Sequence, residues 1–238
     1  MPNHIAVNPS DHKSTCVSTE RSAAKGDSVM CSVTFPTEFR RLQNDYPILF
    51  RLDAARENFN CLALFGFENG ENLYLSNEGW AANYIPLTMA VQPFLIGLGG
   101  DVKTEKKVVI DMDSPRVGTK DGERLFTDLG TATDYLNSVS KQLGELDEGF
   151  KATKDYVALL QKYELLEPIS IDIRLNSGVK NRLVGFHTIN EDKLRDLSGA
   201  ALKDMADNQA LMPSFMLLAS LSNLTKLIDR KNALDERA

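Results

Sequence analysis

Cysteine and histidine are both scarce in this chain. The cysteines are Cys16, Cys31 and Cys61, an odd number without CxxC spacing. That excludes the disulfide framework of a small secreted domain and reads as three reduced thiols, with Cys61 in an apolar strand. The histidines are His4, His12 and His187. A zinc site draws on several closely spaced His or Cys ligands, and a non-haem iron triad on two His and a carboxylate. Neither pattern is present, nor is HxD or HExxH, so neither a metal nor a cofactor is assigned. No GxSxG elbow presents a serine nucleophile. Nothing marks Cys61 as an exposed, low-pKa thiol paired with His187.

Positive charge is also in deficit: 27 Lys and Arg stand against 33 Asp and Glu, a net charge of −6. A nucleic-acid module needs a basic face, and an anionic membrane attracts one, so both partners are disfavoured. The N-terminus has no charged start followed by an apolar core, so it does not read as a secretory signal. A membrane-spanning helix takes about 20 mostly apolar residues. The nearest approach, Asn208 to Thr225, is charge-free but holds Asn208, Gln209, Pro213, Ser214, Ser220, Ser222 and Asn223. It reads as a buried core helix. The expectation is a soluble, cytoplasmic protein without a membrane span.

What is present is an ordinary globular composition, with 42 % apolar and 25 % charged residues. Residues 1–30 read as a polar N-terminal arm and 31–238 as one domain. Pro36 and Glu38 open a short helix through PTEFRRLQND, with Phe39 and Leu42 inward. YPILFRLDA alternates, and FNCLALFGF is apolar on both faces, which marks a central strand. Asn69-Gly70 signals a hairpin turn that returns NLYLS as the partner of that strand. PFLIGLGG and KKVVIDMDS read as further strands. Apolar residues from Tyr135 to Leu160 recur near the helical period, predicting a long helix over 133–164 with a weak point at Gly144 and Gly149. ISIDIRL and KNRLVGFHTI form an antiparallel pair turning at Asn176-Ser177-Gly178, with Val184 and Phe186 on one face. Helices close the chain, the last with Leu217, Leu221, Leu224 and Ile228 inward. Strands followed by helices, without βαβ alternation, give an α+β fold: a mostly antiparallel sheet with a long central helix and C-terminal helices packed on it.

Three candidate sites emerge. Gly97, Gly99 and Gly100 read GLGGD, which lacks the helix start a phosphate loop requires and fits a strand end. Asp111 and Asp113, followed by Ser114, sit two apart on a strand and so share a face. Two carboxylates that close would split their pKa values or hold a divalent ion; a capped, solvated strand end is the plainer reading. Trp80, the only tryptophan, lies with Tyr74 and Tyr84 around a polar turn, an aromatic group that serves equally as a binding surface or a core cap. The surface drawn from these runs through Glu71, Asn72, Trp80 and Tyr84. Residue types alone favour a binding protein over an enzyme.

Several segments together resemble the SapC family of bacterial proteins. They are EF, YPILF, ALFGFENGENLYL, GWAANYIPLTMAVQPF, IDMDSPRV, LLEPISIDIRL, GFHTINEDKLRDL and LASLSNLTKL, in order along nearly the whole chain. Where the family has an arginine-rich run before PF, this chain reads TMAVQPF. The resemblance concerns the surface-layer-associated SapC and not the peptide-transport permease of the same name, which needs spans this chain lacks. It implies an accessory protein acting through a protein partner, since relatives are encoded near flavin-dependent halogenase-like proteins, cupin-like proteins and TonB-dependent receptors. Modification or uptake of a compound or peptide follows as the setting. The alternatives are an enzyme with an Asp111/Asp113 cleft and a surface-layer component reaching the cell surface by non-Sec export. Homo-oligomer formation through the apolar C-terminal helix is compatible with each.

Overall fold

The computed structural model describes residues 3–98, 106–118 and 121–236. Gly99 and Gly100 of the GLGGD segment lie outside them. The chain opens with β1 (His4–Ala6), α1 (Pro9–His12), β2 (Cys16–Val17) and β3 (Cys31–Thr34), then α2 (Phe39–Leu42), β4 (Ile48–Leu52) and β5 (Phe59–Leu64). Next come β6 (Leu75–Ser76), β7 (Gly79–Trp80), α3 (Leu87–Ala90), β8 (Phe94–Leu98), β9 (Lys106–Asp111) and β10 (Glu123–Arg124). The remainder is α4 (Asp134–Lys162), β11 (Leu166–Arg174), β12 (Lys180–Ile189), α5 (Glu191–Arg195), α6 (Gly199–Asp207), α7 (Leu211–Ser220) and α8 (Asn223–Asp235). All strand pairs among them are antiparallel, and the class is α+β.

Two compact units divide these residues: 1–27, 75–80 and 87–148 form the first, and 28–74, 81–86 and 149–238 the second. In the first unit β1, β9 and β8 make a three-stranded sheet, and β10 pairs with β2. A buried ion pair organises its loops. Arg116, 1 % exposed, donates to both carboxylate oxygens of Asp27 at 2.6 Å and to the Glu20 carbonyl at 2.6 Å. Arg21 joins the same carboxylate at 3.3 Å and donates to the Met89 and Ala90 carbonyls. The buried charges are tolerated because both carboxylate oxygens of Asp27 accept hydrogen bonds.

The second unit holds a five-stranded sheet in the order β11-β12-β4-β5-β3. The interior place of β5 matches its two-sided apolar character, and Cys61, Leu62, Ala63 and Leu64 are all buried. Its edge partner, however, is β3 and not NLYLS. The Asn69-Gly70 turn forms, with Gly70 at φ +80°. The chain then leaves the sheet after a single backbone bond from Leu73 to Phe65, and Leu75 pairs instead with Trp80. Along β12 the register shifts by one residue, so that Ile169 faces Phe186 while Ile171 faces Leu183. Gly185, at φ +82°, supplies the conformation that such a bulge requires. Phe186 therefore joins Leu183 in the core, and Val184 is 64 % exposed, which separates two residues that simple alternation places together.

Helix α4 runs unbroken for 29 residues. Gly149 is not a weak point but a contact: a Cβ there would lie 2.6 Å from Cγ of Phe35. Leu136, Val139, Leu143, Leu146, Val157 and Leu160 form its buried stripe.

The C-terminal segment departs most from its sequence pattern. A turn at Leu221-Ser222 divides it into α7 and α8. The side chains facing inward are Ser214, Leu217, Ser220, Asn223 and Leu227. Leu221, Leu224 and Ile228 are half-buried. Ser220 accepts from the Ile48 N–H at 2.9 Å, and Asn223 donates to the Gln43 and Tyr46 carbonyls. Spacing assigns the interior to Leu217, Leu221, Leu224 and Ile228; Leu217 is buried as expected, whereas Ser220 and Asn223, polar anchors to the sheet and its flanking loop, are buried in preference to the other three.

Candidate functional site

The acidic turn of the first unit is positioned by β9, which ends at Asp111. Asp113 therefore lies in a turn and does not share a strand face with Asp111. Its backbone N–H donates to the Asp111 carboxylate at 3.1 Å, while the Asp113 carboxylate accepts from the Asn3 N–H at 3.2 Å. Ser114 Oγ accepts from the Arg116 N–H at 3.3 Å. Asp111 and Ser114 thus cap their own turn, while Asp113 holds the N-terminal strand segment at Asn3. The register also places His4 directly opposite Asp111, a neighbour that no short-range pattern reveals. Among the described residues no group of three or more His, Cys, Asp or Glu side chains is arranged to hold a metal ion.

The other sequence candidates lie as follows. Trp80 is half-buried on β7, across from Leu75. In the second unit, Glu71 accepts from the Phe67 N–H at 2.7 Å and pairs with Lys231 at 2.7 Å, both partners 15 % exposed. This contact holds the Lys231 ammonium above its ordinary pKa. Asn72 is buried and caps the Tyr74 N–H at 3.0 Å. Tyr84 donates to Glu38 at 2.8 Å, and its carbonyl accepts from Tyr46 at 2.6 Å.

Glu38, which the sequence marks only as a helix-opening residue, is 1 % exposed and accepts from both Tyr84 and Thr34. Tyr46, which donates to the Tyr84 carbonyl, packs edge-on or tilted with Phe65 and Tyr74, ring centroids 4.6–6.2 Å apart. Burial pushes the Tyr74 phenol well above its usual range. The Arg41 guanidinium lies 4.9 Å over the Tyr84 ring and Arg230 4.6 Å over Tyr74. Glu38 thus fixes Tyr84, and Tyr84 carries Arg41.

Arg41 opens onto a groove of about 640 Å³ between the α2 segment and helices α6 and α7. Pro36, Leu211, Met212, Pro213, Phe215 and Met216 supply its apolar lining, with Arg40 and Arg41 the charged residues among its walls. Met212 is 56 % and Phe215 51 % exposed. Helix α7 therefore turns Ser214, Leu217 and Ser220 toward the protein and Met212 and Phe215 toward water. The stretch Leu211–Asp235 is also long and apolar enough, by length and composition, to cross a membrane, with 28 % of its most apolar window buried.

A second cleft of about 480 Å³ lies between β5 and the C-terminal part of α4, with Cys61, Phe59, Phe150 and Lys154 in its lining. Cys61 is fully buried, and desolvation raises its thiol far above the reactive range. His187 and Cys61 stand in one cross-strand row with Phe50 between them, so no Cys–His hydrogen bond joins them. Burial lowers the His187 pKa, and its Nδ1 has no partner among the described residues.

The family model for SapC matches residues 7–227. No curated protein and no solved structure matches the chain.

Proposed function

The chain belongs to the SapC family, and from that premise we propose that it is an accessory protein that binds a protein partner and works through it. One observation carries this reading: α7 exposes Met212 and Phe215 while burying Ser214 and Ser220. An apolar face left open to water is costly unless something covers it, and such patches mark interaction sites. The setting implied for the family makes the partner a flavin-dependent halogenase-like or cupin-like protein, with the pair modifying or importing a compound or peptide in the cytoplasm. Tyr84 serves by holding Arg41 at the groove. Trp80 is proposed as a second contact: Trp80→Ala weakens partner binding with the fold intact, whereas loss of the fold would mark Trp80 as core.

Affinity capture of the tagged protein from its host at native abundance, read by mass spectrometry, tests the reading. A stoichiometric partner that re-forms the complex from purified components is expected. The protein running alone would overturn it. One observation favours a second reading, an enzyme built on the acidic turn: His4 lies opposite Asp111. Titration calorimetry with magnesium, manganese and calcium separates the two. Heat that vanishes in Asp111→Asn would move the assignment to the enzyme.

A further inference from the structure

Resting on the partner reading, we infer that the α2–α7 groove receives an acidic amphipathic helix of the partner protein, its apolar side against Met212, Phe215 and Met216 and its carboxylates against Arg40 and Arg41. Charge complementarity identifies the occupant. The chain as a whole is acidic, at −6, yet no acidic residue lines this groove among the described residues, and two arginines do. Arg40 has no ion pair or hydrogen bond from its side chain among the described residues. Arg41 is held by an aromatic ring and not by a carboxylate. Both guanidiniums are thus exposed and without an acid partner among the described residues, and Arg41 is in addition held in place by the Tyr84 ring; such groups can take a carboxylate in a bidentate hydrogen bond. Two methionines beside Phe215 give a polarizable, adaptable apolar lining of the kind that grips helices in grooves.

The rival occupants fit less well. A second copy packed by a two-fold axis through the groove would bring Arg40 and Arg41 of both molecules to one interface. A bilayer is flat where the groove is concave, and an anionic bilayer repels a chain of this net charge.

The test uses the full-length protein and a fluorescein-labelled helical peptide of leucine and glutamate with an apolar stripe, followed by fluorescence anisotropy. Its control is the same peptide with lysine for glutamate. The acidic peptide is expected to bind about tenfold or more tighter than the lysine peptide, with affinity falling as salt rises. Arg40→Glu and Phe215→Glu each reduce that binding about tenfold while the far-ultraviolet circular dichroism and melting profile stay those of the wild type. Because both side chains are exposed, the variants are expected to fold; Met212→Glu serves as the alternative if one does not. Equal binding of the two peptides, or binding that none of these variants changes, would overturn the inference. So would tighter binding of vesicles of three parts phosphatidylcholine to one part phosphatidylglycerol, or of dodecanoate, lost in Phe215→Glu, since each would assign the groove to a lipid surface or a free amphiphile. A partner captured equally by wild type and Phe215→Glu would leave the partner reading standing and remove this one.

Discussion

Glycine shows at single-residue scale how position decides the sign of an effect. Gly144 and Gly149 lie five residues apart on α4 and carry the same helix-propensity penalty, about 1 kcal/mol each. A Cβ on Gly144 meets nothing within 4 Å, whereas one on Gly149 meets the ring of Phe35. Gly144→Ala is expected to stabilise the protein by about 0.5–1 kcal/mol. Gly149→Ala is expected to destabilise it by about 1–3 kcal/mol through overpacking. Chemical denaturation of the two variants checks both signs. His187 makes a prediction of a different kind. Burial depresses its pKa in the folded state, so the unfolded chain binds the proton more readily. Its contribution to stability is complete above the ordinary value of 6.5 and is lost as pH falls through the lower folded value. Unfolding curves collected from neutral pH downward are expected to show that loss, and His187→Gln to flatten it. A pH dependence in this window that the variant leaves unchanged would place its source elsewhere. Single residues were the least legible part of the sequence. Glu38 and Tyr84, or Asp27 and Arg116, meet through the fold, and no local spacing announces a partner 89 positions away.

Elements were legible where periodicity reports burial directly. The runs forming β11 and α4 are read from alternation or from the 3.6-residue stripe, and β5 from a run apolar on both faces, because their apolar sides face the interior; in β4 alternation misses Leu49, which is buried beside Ile48 and Phe50. Reading failed where a local device broke the period. The bulge at Gly185 re-registers β12, and the Asn69-Gly70 turn, a true turn, feeds a strand that pairs elsewhere. It failed again at α7, where spacing identifies apolar residues but not which of them the sheet has room for. Loops gave the weakest signal, and no local pattern announces the buried Arg116–Asp27 pair that ties the loop after β2 to the loop after β9. Asp27→Ala is expected to cost about 3–5 kcal/mol, because it leaves Arg116 buried and unpaired. The double change Asp27→Leu with Arg116→Met is expected to cost less than Asp27→Ala alone. Thermal unfolding of the two proteins decides the matter: a double variant less stable than the single one would mean that the pair holds the loops by more than mutual charge compensation.

For the whole molecule, composition excludes more than it assigns, and the family match extends over most of the chain without attaching an activity to it. The positive content comes from surface organisation: an acidic protein carrying a groove with an apolar lining and two arginines. The groove was invisible in the sequence because its walls come from residues near 40 and near 212, each unremarkable alone. The Asp111–Ser114 turn was visible, yet each of its three polar side chains accepts a backbone N–H, which leaves the groove as the stronger basis for a binding role. The most direct measurement is affinity capture from the native host with wild type and Phe215→Glu in parallel, at native abundance and quantified by mass spectrometry. One partner is expected in stoichiometric amount with the wild type, depleted by about tenfold or more with the variant, as for removal of a central apolar anchor. Wild-type protein recovered without a partner would contradict the account.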